Sequence, residues 1–281
     1  RDDNMDGVYG SDPRTYAYPG LGDQIFQPEL DCVVVGDSKR ARPWSKYMEI
    51  GGAWYEMAAE DSGVSLKATP VSVQTGTFKL DFKGPAPTWV ILKGVGNVDK
   101  CFYDLVTDTK KPVAVPAGTY ELYCGELRTG KKQQVMKCLI LPGPNTVKFT
   151  VAAGAETTIK LGGPFDLEFS VEKGEAGVKV KGKSVTVIGV ANERYERMWN
   201  CTLRPEVSSR KAGSKKGSKP EKMNVVLDLY EQGEDGMNKW STADTWRPAD
   251  SSFEIKKGES VEVQLTEKKN KLLGELESTW K

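Results

Sequence analysis

The chain contains no histidine. That absence removes Ser-His-Asp and Cys-His catalysis, histidine-ligated zinc and imidazole acid-base chemistry at one stroke. An excess of one charge is missing too. The 40 Lys and Arg residues stand against 39 Asp and Glu, a formal net charge of +1, so no global field draws in nucleic acid or an anionic membrane. Long apolar runs are absent: "WVIL" at 89–92 falls far below the roughly 18 residues of a spanning helix. The expectation is a soluble chain with no transmembrane segment and no nucleic-acid partner. Cysteines at C-x-x-C spacing are also lacking, which excludes a zinc ribbon and a thioredoxin-type redox motif. The sequence opens at Arg1 with no apolar leader and reads as a processed or trimmed product with residues missing upstream of the acidic loop, which leaves its destination open.

What is present is strand signal. Short alternating or β-branched runs such as "GTFKLDF", "TWVILKG", "GTYELYCGEL", "NTVKFTVAAG" and "ESVEVQLTEK" are punctuated by Gly or Pro every eight to twelve residues. No amphipathic helix separates them. This spacing predicts an all-β chain of two or three antiparallel β-sandwich domains. Turn residues at Gly84-Pro85 and Gly162-Gly163-Pro164 place the breaks. They yield an N-terminal β region (1–84), a middle sandwich (85–162) and a C-terminal sandwich (163–281). Glycine at positive φ suits tight hairpins, so hairpins are expected about Thr75-Gly76 and about Lys181-Gly182-Lys183. Residues 113–141 read as a three-stranded meander. The basic segment "SSRKAGSKKGSKPEK" (208–222) reads as a solvated loop, with a phosphate- or polysaccharide-binding arm as the alternative. Its flanks "NCTLRPEV" and "MNVVLDLY" are expected to pair with each other across a long hairpin.

The first residues carry the one metal-like pattern. Calcium loops of the EF-hand type place oxygen ligands at alternate positions with glycine at the sixth. Asp2, Asn4, Asp6 and Gly7 match that first half, with the Val8 carbonyl at the seventh position. The twelfth position is Pro13, not Glu, so the shell would close through Asp12, Asp23 or Asp31. The site expected is Ca2+ held by Asp2, Asn4, Asp6, Val8 and Asp12; the alternative is an ordinary Asx-rich turn.

Five cysteines stand at 32, 101, 124, 138 and 201. Cys124 and Cys138 are equidistant from Lys131, so a regular hairpin would set them opposite each other, as a disulfide or as two packed thiols. A catalytic thiolate has no histidine to serve it. Trp199, Trp240 and Trp246 sit in polar surroundings and form a candidate carbohydrate-stacking surface, with burial at strand ends as the alternative. Asp104 with Asp108, and Glu193 with Glu196, are the carboxylate pairs a glycosidase reading would need, but sequence cannot set two such groups across a cleft. The G-x-G of "LKGVGNVDK" (92–100) lacks a third glycine and a helix, which argues against nucleotide binding.

Three stretches carry a resemblance. "D-x-N-x-D-G-x-Y-G" at 2–10, "D-x-V-V-V-G-D" at 31–37 and "W-S-K-Y-M-E-I-G-G-x-W-Y-E" at 44–56 are similar to uncharacterised, secreted β-rich proteins of planctomycete-type bacteria. The endings "NERYERMW...LRPEV" and "KKNKLLGELESTW" resemble theirs as well. The likeness implies an extracytoplasmic compartment and calcium, but no activity. Separately, "VPAGTYELYCGEL" (115–127) resembles a strand of transthyretin-like or carboxypeptidase-regulatory-type sandwiches, which are accessory modules. The combined expectation is a non-catalytic structural or adhesion protein. Its location would be periplasmic, cell-surface or extracellular, and its partner a protein or polysaccharide of the cell surface. A carbohydrate-binding module is the first alternative and a hydrolase with a carboxylate pair the second.

Overall fold

The computed structural model describes residues 14–17, 24–27, 30–59, 65–106, 111–174, 177–227, 246–254 and 260–281. The early strands are β1 (Arg14–Ala17), β2 (Gln24–Gln27), β3 (Cys32–Val33), β4 (Arg42–Pro43), β5 (Tyr47–Ile50), β6 (Ala53–Ala59) and β7 (Leu66–Pro70). Next come β8 (Thr75–Lys83), β9 (Pro87–Val95), β10 (Phe102–Asp104), β11 (Val113–Pro116), β12 (Gly118–Thr129) and β13 (Met136–Leu141). They are followed by β14 (Phe149–Val151), β15 (Glu156–Gly162), β16 (Asp166–Gly174), β17 (Gly177–Ile188), β18 (Arg194–Trp199) and β19 (Glu206–Lys211). The last are β20 (Glu221–Lys222), β21 (Val225–Leu227), β22 (Trp246–Pro248), β23 (Ser251–Glu254), β24 (Val261–Asn270) and β25 (Gly274–Glu277). Among the described residues the only helical elements are two short 3-10 turns, Gly96–Val98 and Lys132–Gln134. The all-β class read from the sequence is the class observed.

The chain divides into two compact units, each assembled from separate stretches. The first comprises Arg1–Asp81, Pro87–Gly125 and Pro144–Lys160, and the second Phe82–Ala86, Glu126–Gly143 and Leu161–Lys281. The sequence reading draws three contiguous regions instead, because turn residues mark where strands end and not which strands pack together.

In the first unit β9 lies between β10 and β12, β14 pairs with the start of β12, and β8 lies between β11 and β15. β5, β6 and β7 form a separate antiparallel sheet. Alternation drives this packing: along β9 the side chains of Val90 and Leu92 are buried while their neighbours reach outward. Each such burial contributes about 1.5–3 kcal/mol. Phe78 meets Tyr120 edge-on at 5.3 Å, and the Tyr120 hydroxyl donates to the Pro116 carbonyl at 2.8 Å. That bond satisfies the one polar atom an otherwise buried ring brings inside.

In the second unit the strand order is β13-β18-β17-β16-β25-β24-β19-β20, with β23 added to β17 and β21 paired with β22. The pairings whose register is resolved are antiparallel except that of β16 with β25, which is parallel at Asp166 and Glu277. Leu167 and Phe169 of β16, and Val263 and Leu265 of β24, supply core side chains at every second position.

Both expected hairpins at glycine are corrected. Gly76 lies inside β8, opposite Val115 of β11, and a Cβ there would run into the Ala152 and Ala155 carbonyls and Val151. Gly182 lies inside the unbroken strand β17, and a Cβ there would meet the backbone of Pro248 and Ala249. Its own N–H donates to Asp250 Oδ1 at 2.9 Å. Glycine is required at these positions by close backbone approach, not by a turn. Gly182→Ala is therefore expected to lower unfolding free energy by about 2 kcal/mol in urea denaturation. A change at Gly213, whose Cβ would meet open space, does not report on that approach.

The meander is also revised: β11 leaves it to pair with β8, while β12 and β13 remain neighbours. The basic segment is a short hairpin, in which Glu206 faces Lys222 and Val207 faces Glu221. The flank expected to close it, Val225–Leu227, pairs with Trp246–Pro248. The loop folds back on its own strand: Ser218 N–H donates to the Ser209 carbonyl at 2.6 Å, and Arg210 stacks 4.1 Å from the Trp280 ring while pairing with Glu262.

Candidate functional site

A concave site lies in the first unit, around Asp104 at the end of β10. That strand pairs with β9 so that Asp104 stands opposite Ile91. The loop before β4 brings in Arg40, whose Nη2 donates to Asp104 Oδ2 at 2.6 Å and to the Thr88 carbonyl at 2.9 Å. Asp104 Oδ1 accepts the backbone N–H groups of Val90 and Val106, each at 3.0 Å. Burial pushes the Asp104 carboxyl above its usual range, and the Arg40 and amide hydrogen bonds pull against it without cancelling it.

Two hollows flank this pair and share Arg40, Ala41, Arg42, Pro43 and Asp104 in their walls. One, of about 230 Å³, is lined by Met48, Trp54, Phe102, Tyr103 and Val113. The other, of about 660 Å³, is lined by Leu30, Cys32, Lys39, Trp89 and Ile91. Tyr103 is held by a 2.7 Å bond from its hydroxyl to the Tyr47 carbonyl, and burial pushes its phenol far up, so it remains a neutral donor. A guanidinium beside half-buried aromatic walls suits recognition of a ligand's planar or oxygen-bearing groups. The carboxyl has little capacity left for proton transfer, since both of its oxygens are already engaged.

The thiols are placed for packing. Cys101, Cys124 and Cys138 are buried and unbridged, Cys201 is buried, and Cys32 is half-buried. Cys124 and Cys138, expected as a bridge or as packed thiols, are therefore two unbridged core residues. Burial pushes the thiols of Cys101, Cys124 and Cys138 up, which keeps them protonated and poorly nucleophilic at neutral pH.

The other expected residues fall as follows. Asp2, Asn4, Asp6, Val8 and Asp12 lie outside the described residues, as do Asp23, Asp108 and Trp240. Asp31 is buried. Among the described residues no group of three or more Cys, Asp or Glu side chains is disposed to hold a metal. Trp199 is half-buried in β18 with the Lys137 ammonium 5.3 Å from its ring, and Trp246 is 39% exposed at the start of β22. Glu196 pairs with Arg194, whereas Glu193 is wholly buried in the second unit. Glu193 Oε1 accepts from Gly162 N–H at 2.7 Å and from the Tyr195 hydroxyl at 2.8 Å, and Oε2 accepts from Ala191 N–H at 2.9 Å. Sequence reasoning overlooked Arg40, Trp54 and Trp89. The cation-rich "SKRARPW" (38–44) is the signal that could have drawn attention to Arg40, but nothing local joins it to Asp104, which is 64 residues away.

Compared with known proteins, the chain matches no family model, no curated sequence and no solved structure, so its functional reading rests on its own geometry.

Proposed function

We propose that the protein is a non-catalytic scaffold of β-sandwich domains, Ig-like or transthyretin-like, that acts by presenting binding surface. Its setting is the cell envelope or the extracellular space, and its partner a protein or polysaccharide there. The observation that supports this reading most is the use made of two buried acids, Glu193 and Glu267, and of the half-buried Asp104. Asp104 is tied down by Arg40 and two amides, Glu193 by two amides and a phenol, and Glu267 by Arg204 N–H and the Asn270 amide. These groups hold strands and loops in place, where a catalytic acid would need an oxygen aimed at substrate. The N-terminal run Asp2, Asn4, Asp6, Val8 and Asp12 belongs to this reading as a calcium-binding brace.

A second reading, carbohydrate binding, is favoured by Trp54 and Trp89, which line the two hollows beside Arg40. One experiment addresses both. The whole chain, labelled, is titrated against envelope preparations and against a glycan array, with calcium and with chelator. Saturable envelope binding that chelation weakens supports the scaffold reading. Array binding lost in Trp54→Ala or Trp89→Ala, yet kept in Trp199→Ala, assigns a sugar to the Arg40 cleft. Binding to neither removes both readings.

A further inference from the structure

The second unit contains a site that the preceding reading does not use. A hollow of about 420 Å³ is walled by Arg204, Lys222, Lys268, Lys269 and Lys271, with Glu206 and Glu267 as the acids among the described residues that line it. Five cations against two acids make it the opposite of the balanced chain that surrounds it. None of the four lysines forms an ion pair with a described residue.

The backbone explains why these cations converge. Glu267 faces Leu276, and Asn270 faces Gly274, so Lys268 and Lys269 together oppose the single residue Glu275. This two-against-one arrangement is a β-bulge. In a regular strand, consecutive side chains point to opposite faces; a bulge re-aims one of them. Lys268 and Lys269 thus both line the hollow.

A buried polar network fixes the bulge. Glu267, only 8% exposed, accepts from Arg204 N–H at 2.8 Å and from Asn270 Nδ2 at 2.9 Å. The same Nδ2 donates to the Cys201 carbonyl, and Asn270 Oδ1 accepts from the N–H groups of Leu272 and Leu273. One asparagine therefore anchors the turn carrying Lys271, the bulge carrying Lys268 and Lys269, and the loop carrying Arg204. The backbone positions that carry the cations are thereby fixed around the hollow, and the cationic side chains themselves are exposed to an incoming ligand.

We propose that this hollow is a binding site for a compact phosphate-bearing anion with at least two negative charges. Lysine ammonium groups neutralise phosphate oxygens as point charges, and the arginine adds a planar fork of donors. A volume of about 420 Å³ falls within the range of small-ligand pockets, roughly 300–1,000 Å³. The ligand could be a free phosphate chain or the phosphate group of a sugar, and these two sources share the recognition chemistry.

The test is calorimetric titration of the whole chain with sodium tripolyphosphate and, separately, with glucose 1-phosphate, at low salt. The variants are Lys268→Ala/Lys269→Ala and, as an equal-charge control, Lys79→Ala/Lys160→Ala, two exposed lysines of the first unit that do not line the hollow. Single-site binding is expected, weakened about tenfold or more in the first double variant, the loss of one or two charge-assisted bonds. The control should change affinity less than about twofold, since exposed charges that make no contact with the ligand are largely screened by solvent and salt. Binding of tripolyphosphate alone assigns the site to phosphate chains, and binding of glucose 1-phosphate with the same lysine dependence assigns it to sugar phosphates. No saturable binding of either probe, or equal losses in the two double variants, would overturn the proposal.

Discussion

Glu193→Ala should cost the protein about 4 kcal/mol of unfolding free energy, a large part of the 5–15 kcal/mol typical of a folded chain. The carboxyl is fully buried and accepts three hydrogen bonds, from Gly162 N–H, Ala191 N–H and the Tyr195 hydroxyl. Truncation leaves all three donors in the interior without a partner, and each orphaned donor costs about 1–3 kcal/mol. The turn above it is built for this carboxyl. Gly189 N–H donates to the Glu193 carbonyl at 2.9 Å, Asn192 adopts φ of 60°, and a Cβ on Gly189 would collide with the Glu193 carboxyl. Gly189→Ala should therefore behave like a milder version of the same lesion. Tyr195→Phe removes only one of the three bonds and should cost about 1 kcal/mol. Urea denaturation of the three variants, ranked in that order, checks the argument. Equal stability of Glu193→Ala and the native chain would mean that the carboxyl is not part of the framework.

Asp104→Ala is the second large effect, about 3 kcal/mol. It takes a 2.6 Å partner from Arg40, which keeps its bond to the Thr88 carbonyl, and removes the acceptor of the Val90 and Val106 amides. Arg40 retains 34% side-chain exposure, so water softens its loss and the estimate stays at the low end for a broken buried pair. Asp104→Asn refines the prediction through pH. The folded carboxyl titrates above the ordinary 3.8 because burial outweighs its hydrogen bonds. The folded state therefore binds this proton more readily than the unfolded chain. Its contribution to stability must rise as pH falls from the raised folded value toward 3.8, and decline again as pH climbs back. Unfolding free energies measured between about pH 7 and about pH 4 should show the native chain gaining on Asp104→Asn toward the acid side. A native chain that loses ground to Asp104→Asn on acidification would contradict the environment described for this carboxyl.

The fold class was legible because the apolar alternation of segments such as 166–170 and 261–267 has one physical meaning: a sheet with one face buried. Leu167 with Phe169, and Val263 with Leu265, are buried as that alternation requires. Glycine was legible only as a special position. The same residue serves a turn at positive φ and a strand pressed against another backbone, and Gly76 and Gly182 belong to the second kind. Local sequence does not distinguish the two, since the obstructing atoms come from residues 76 or 66 positions away, Ala152 and Pro248. Asp104 and Glu193 were visible as acids, but their roles depend on donors that the chain brings back from elsewhere, Arg40 in one case and Gly162 in the other. The bulge that gathers Lys268 and Lys269 is likewise a fact of register and not of composition.

Native-state amide exchange is the most direct measurement of whether Asp104, Glu193 and Glu267 are framework. The N–H groups of Val106, Ala191 and Arg204 lie outside strands and donate to Asp104, Glu193 and Glu267 respectively. If these carboxyls are fixed parts of the scaffold, the three loop amides exchange as slowly as strand amides, only when their unit unfolds. Exchange of all three at the rates of solvent-exposed amides would show the carboxyls to be free for other work and would contradict the account.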